Sequence, residues 1–172
     1  MDKIILVKDK HGSAPADKII PLADLPALFP PTIIQAVGKF DLTARNGYPM
    51  PDGTNISIWD DVARTWVGCQ FKASPTLATD VGIGSSLAEC AANLATMIAS
   101  RFGRTGKAYV ASIIPVGIDV SAGSDYPGPA GDQSTGNLGI SDAGSGYLAA
   151  SPLSGGSSTP QSGNAYVYGD IG

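Results

Sequence analysis

Residues 81–103, "VGIGSSLAECAANLATMIASRFG", hold the only long helical pattern in a chain of 172 residues otherwise written in short strands, turns and glycine. Ser86-Leu-Ala-Glu89 has the form of a capping box. The serine hydroxyl accepts an orphan amide proton of the first turn while the glutamate reaches back to the cap amide. Leu87, Cys90, Ala91, Leu94, Met97, Ile98 and Phe102 follow at helical spacing and make one apolar stripe. Glu89, Asn93, Thr96, Ser100 and Arg101 lie mostly off it, and Gly103 stands where a left-handed cap would end the helix. Each large member of the stripe contributes about 1.5–3 kcal/mol when fully buried. Such a helix is a core plug able to anchor a small sheet.

The sheet is read on either side of it. In "IIQAVGKFDLTAR" from Ile33, Val37, Lys39, Asp41 and Thr43 alternate with Gly38, Phe40 and Leu42, as in a strand. "NGYPMPDG" breaks the pattern with turn residues. "TNISIWDD" and "VARTWVGCQFKA" form the next two strands, with Asp60-Asp61 between them at a hairpin. Val67, Cys69 and Phe71 share one face of the second, Trp66 and Gln70 the other. "KAYVASIIPVGIDV" reads as one further strand, and Pro115 predicts that its later part bends away or runs at an edge.

Both ends differ in character. In residues 1–35 a short strand, Ile4 to Val7, precedes five prolines that exclude a long helix or a central strand. Ile19, Ile20, Leu22, Leu25, Leu28 and Phe29 are nevertheless too apolar for a solvated linker. An extended arm lying on an apolar surface, its own or a neighbouring subunit's, satisfies both facts. Residues 121–172 include 12 glycines, 10 serines and 4 prolines, with "NAYVYGDIG" as one last strand candidate. That composition buries too little apolar area to offset an ordering entropy of about 1–2 kcal/mol per residue. Order in this segment is therefore expected to come from a surrounding assembly, with the chain's own surface as the alternative. The expected class is α+β: a small, mostly antiparallel sheet packed on one amphipathic helix, with an N-terminal arm (1–35), a core (36–120) and a Gly/Ser-rich C-terminal arm (121–172).

Composition excludes several functions. Net charge is −4, and all eleven Lys and Arg lie at or before Lys107 while five aspartates follow, so the clustered cations that bind nucleic acid are lacking. No apolar run approaches the roughly 18 residues of a membrane span, and the N-terminus lacks the apolar core and cleavage site of a signal peptide. Cys69 and Cys90 are too few for a disulfide framework and fall on core faces, where buried reduced thiols are expected over a strand-to-helix disulfide. His11 is the only histidine, and nothing nearby resembles a nucleophile elbow or a zinc set. "GRTGKA" (103–108) lacks the spacer and hydroxyl of a phosphate loop, and "GIG" (82–84) is too short for a dinucleotide fingerprint. Asp60, Asp61, Asp119 and Asp125 lack the regular spacing of a calcium loop. No catalytic residue, metal or cofactor is expected. Trp59 and Trp66 flank a hairpin, where cross-strand packing or an interface anchor is preferred to a sugar or base platform.

The order of elements in residues 36–118 resembles a module of virion structural proteins of tailed bacteriophages. Its carriers are a D-G-x-x-I-x-I strand (Asp52, Gly53, Ile56, Ile58), a strand ending in Phe71, and an I-G-x-S-x-x-E-x-A-x-N-L-A-x-x-I helix. In that helix Ile83, Gly84, Glu89, Ala91, Asn93, Leu94, Ala95 and Ile98 stand at the matching places, and Cys90 replaces a more usual small polar residue. The resemblance spans about half the chain and implies no chemistry. It implies a particle component made in the host bacterial cytoplasm and located in the virion, foremost a capsid decoration or cement protein. Its partners would be the major capsid protein or other virion subunits, with self-association, a trimer favoured, and without nucleic acid or membrane. A tail-tube or neck subunit is the alternative within the class, and a small carbohydrate-binding module using Trp59, Trp66, Tyr126 and Tyr147 lies outside it. Expected contact residues are Ile19, Ile20, Leu22, Leu25, Leu28, Phe29, Trp59, Trp66, Tyr147, Tyr166 and Tyr168.

Overall fold

A computed structural model describes residues 5–7, 18–20, 32–44, 48–103, 109–114, 117–134 and 139–159. The chain divides into two compact units, one of residues 1–32 and 158–172 and one of residues 33–157. In the first, β1 (Ile5–Val7) pairs antiparallel with β2 (Lys18–Ile20), with Leu6 opposite Ile19. The proline-rich N-terminal segment thus contains a short ladder, which it accommodates because both strands are prolyl-free.

The larger unit is α+β. Its strands are β4 (Val37–Asp41), β5 (Asn55–Asp60), β6 (Thr65–Lys72), β7 (Asp80–Gly82), β8 (Val110–Ile114), β9 (Gly117–Ser121), β10 (Ile140–Ser141) and β11 (Ala149–Ser154). A separate two-stranded sheet is made by β3 (Thr32–Ile34) and β12 (Ser157–Thr159). One four-stranded sheet runs β10-β5-β6-β7 and the other β11-β4-β9-β8. Only the β6–β7 pairing is parallel within these sheets. The single small sheet expected is therefore two sheets.

Alternation decides which faces meet. In β4 the burial pattern puts Phe40 inside and Lys39 and Asp41 outward, and Leu42 continues the inner face beyond the strand. In β5 and β6, Ile56, Ile58, Cys69 and Phe71 are fully buried. Helix α1 (Leu87–Ile98) adds Cys90, Ala91, Leu94, Ala95, Met97 and Ile98 to the same core and continues into one π-helical turn, Ala99–Gly103, that buries Phe102. Its role as core plug is as expected.

Four details differ from expectation. Gly103 has no left-handed φ; a Cβ there would lie 2.4 Å from the Tyr109 carbonyl oxygen, so glycine is required for close approach. Glu89 bonds not the cap residue but its predecessor, accepting from the amide (2.8 Å) and hydroxyl (2.6 Å) of Ser85, while the Ser86 hydroxyl accepts from the Glu89 amide. The stretch read as one strand through Pro115 is two, β8 and β9, antiparallel with Ile114 opposite Gly117. Finally, the arm placed at 121–172 begins too early.

Residues 122–157 belong to the body. Strand β10 pairs with β5 and β11 with β4, and Ala122, Ile140, Leu148 and Leu153 are buried. Polar side chains complete the anchoring. The Gln133 carboxamide oxygen accepts from the amides of Ile140 and Leu153, and the Asp132 carboxylate accepts from that of Gly156. Glycine here serves contact, not slack: a Cβ on Gly156 would sit 2.1 Å from the Gly128 carbonyl oxygen. Within the chain, its own sheets take up this stretch.

Candidate functional site

Four of the resemblance-bearing residues, Gly84, Ser86, Glu89 and Asn93, meet at the entry to α1. Gly84 is in the left-handed region (φ 71°), and a Cβ there would press on the Glu89 side chain. The Asn93 amide donates to the Gly82 carbonyl at 3.0 Å, tying the helix to β7. Gly84, Ser86, Glu89 and Asn93 are thus one strand-to-helix joint, which explains their spacing without any chemistry.

Beside this joint lies an open groove of about 510 Å³ between α1 and residues 73–84, lined by Asp80, Glu89, Asn93 and Ser100 among others. The side chains of Asp80, Glu89, Asn93 and Ser100 are already engaged within the chain. Asp80 accepts from the amides of Thr76 and Leu77, both at 2.8 Å, and these hold its carboxyl below the ordinary carboxylate range. The Ser85 hydroxyl, then the Ser85 amide, do the same for Glu89. Carboxylates so satisfied are weak bases, ill-suited to general base catalysis. The thiols are equally quiet. Cys69 and Cys90 are free and buried, and burial raises them to about 12 and about 11. Thiolate, the reactive form, is scarce there at neutral pH.

The aromatic candidates are mostly packing elements. Trp59 and Trp66 face each other across the β5–β6 ladder, edge to face, with centroids 5.9 Å apart and planes at 77°. Trp59 packs against the core, as do Tyr126 and Tyr147, while Trp66 keeps 47% of its surface exposed. The Tyr126 hydroxyl donates to the Asp61 carboxylate, fastening the loop after β9 to the β5–β6 turn. Ile19 and Ile20 lie on β2. Leu22, Leu25, Leu28, Phe29, Tyr166 and Tyr168 lie outside the described residues.

The surface that sequence reasoning missed is the outer face of the β11-β4-β9-β8 sheet. Register places Val37, Ser121 and Val110 in one row across it, Ser151, Lys39, Asp119 and Ser112 in the next, and Ala149, Asp41, Gly117 and Ile114 in a third. None of the side chains in these rows is buried, Gly117 being the one buried position. Most of the face is small or apolar: two exposed valines, an isoleucine, serines, alanine and glycine surround a lysine set opposite Asp119, with Asp41 in the adjoining row. The alternation of β4 carries the signal for one row of this face, whereas β9 follows a proline and β11 lies in a Gly/Ser-rich stretch, so neither announces itself as a partner strand.

No protein-family model, no curated protein and no solved structure matches this chain.

Proposed function

We propose that this chain is a structural subunit of a tailed-phage particle, specifically a capsid decoration or cement protein. It would bind neighbouring virion subunits through the outer face of its β11-β4-β9-β8 sheet. The observation that carries the reading is that face, on which no side chain of the described rows is buried. Val37 and Val110 are each 43% exposed on it, and its small side chains let another protein surface approach closely. The resemblance of residues 36–118 to a virion module supports the same class. The reading assigns no catalysis, metal or cofactor to the chain.

Two observations weigh against the alternatives. A tube subunit would turn its acidic residues to a lumen. Here Lys39 stands opposite Asp119, and Asp132 and Asp142 accept amide protons of Gly156 and Gly144. A sugar platform needs a flat open ring face, whereas the tryptophans stand edge to face. Immunogold electron microscopy with antibody to the full chain tests the proposal on particles from the source strain. Gold on capsids is expected. Gold on tail shafts would favour the tube, and unlabelled particles would refute the virion reading altogether.

A further inference from the structure

The edge of the same sheet carries a second surface. Strand β8, Val110-Ala-Ser-Ile-Ile114, ends the order β11-β4-β9-β8, and among the described residues no strand pairs with its outer side. Edge strands present unpaired amides and carbonyls, and proteins ordinarily blunt them with charge, proline or a bulge. β8 has none of these: it is uncharged, prolyl-free, and paired to β9 in unbroken register. Ile113, on the core side of the sheet opposite Ile118, still exposes 57% of its surface, and Val110 on the outer side exposes 43%.

We infer that β8 pairs antiparallel with β8 of a second copy of this chain, about a two-fold axis at Ser112. The commitment to a second copy comes from the way the strand's large and small side chains match in antiparallel register with themselves. Centred on Ser112, antiparallel register sets Ala111 opposite the partner's Ile113 and Val110 opposite the partner's Ile114. Each core-side isoleucine, stranded at the rim of its own sheet, then meets a small residue that leaves it room. The two serines meet at the axis, and no like charges are brought together. The result is one continuous eight-stranded sheet, in which the Val37-Ser121-Val110 row runs on into the partner's Ile114-Gly117-Asp41 row. The other edge, β11, carries Pro152 and a register shift between Ser151 and Ser154, the blunting that β8 lacks. A closed two-fold pairing replaces the trimer expected from sequence, since an isologous contact of this kind closes at two copies. The inference deepens the assembly reading by naming the first contact, and it rests on that reading for its purpose, not for its geometry.

The test uses the full chain in solution. Light scattering after size exclusion should give a dimer, and Ile113→Lys, at a position already more than half exposed, should give a folded monomer by circular dichroism. Ser112→Cys should cross-link into a disulfide dimer on mild oxidation, with peptide mapping locating the bond at position 112 of both chains; buried Cys69 and Cys90 leave the background silent. A wild-type monomer throughout the micromolar range would overturn the inference. So would an oligomer that Ile113→Lys leaves intact and Ser112→Cys fails to cross-link. Capsid labelling by a chain that is monomeric in solution would sink the β8 pairing while sparing the virion reading; a dimer that labels no particle would do the reverse.

Discussion

Helix α1 brings six buried side chains to the core on 12 residues, whereas residues 122–157 bring Ala122, Ile140, Leu148 and Leu153 on a chain rich in glycine and serine. The helix is held by a dense apolar stripe and a capped start. The second region is held by widely spaced anchors, two short ladders and a few carboxamide and carboxylate bonds. Composition measures how much side chain a segment can bury; it does not register how closely its backbone can approach another. Glycine costs backbone entropy but permits contacts that any Cβ would block. In this chain that second property outweighs the first up to Ser157.

The largest expected effect tests the anchors. Leu153→Ala should cost about 2–5 kcal/mol in urea unfolding, as for a core leucine elsewhere; a loss near zero would mean the segment is a dispensable tail. Next comes the close approach. Gly156→Ala drives its Cβ into the Gly128 carbonyl, a backbone group that no rotamer change moves aside, so it should cost about 1–3 kcal/mol, measured the same way. A neutral result would return glycine to the role of simple linker. On the helix side of the comparison, Ser86→Ala should cost about 1 kcal/mol through the lost N-cap bond, less than either change in the glycine-rich region.

The smallest effect is acid dependence at the α1 entrance. Asp80 and Glu89 titrate below their ordinary values because amides and a hydroxyl bond their charged forms. Their contribution is therefore full above the unfolded values, about pH 4, and is lost as pH falls through the lower folded values. Melting temperature followed from pH 7 down to pH 2 should fall in that acid range, and Glu89→Gln should flatten part of the fall. An unchanged profile in the variant would show that the Ser85–Glu89 bonds contribute nothing.

How legible the molecule was in its sequence follows the same division. The helix, its cap and the β5–β6 pair were readable because each carries a period of its own: the stripe from Leu87 to Phe102, and the alternation of Ile56 and Ile58 with Cys69 and Phe71. Strands β10 and β11 were not. Ile140 and Leu153 are isolated apolar residues whose burial depends on partner strands about 80 to 115 positions earlier. The β8–β9 pair was half visible, since Pro115 announced an edge but concealed a reversal. For the candidate surface, the outward residues of β4 were correctly placed, yet the face they belong to needs β9 and β11 beside it. The aromatic residues drew attention by type, and the fold put most of them to packing.

Limited proteolysis of the full chain, with the products identified by mass spectrometry, tests the central claim most directly. If residues 122–157 are part of the body, the smallest stable product retains them, and cleavage inside that stretch appears only as the whole unit unfolds. A stable, cooperatively unfolding product ending near Val120 would contradict the account and return the region to the status of an arm.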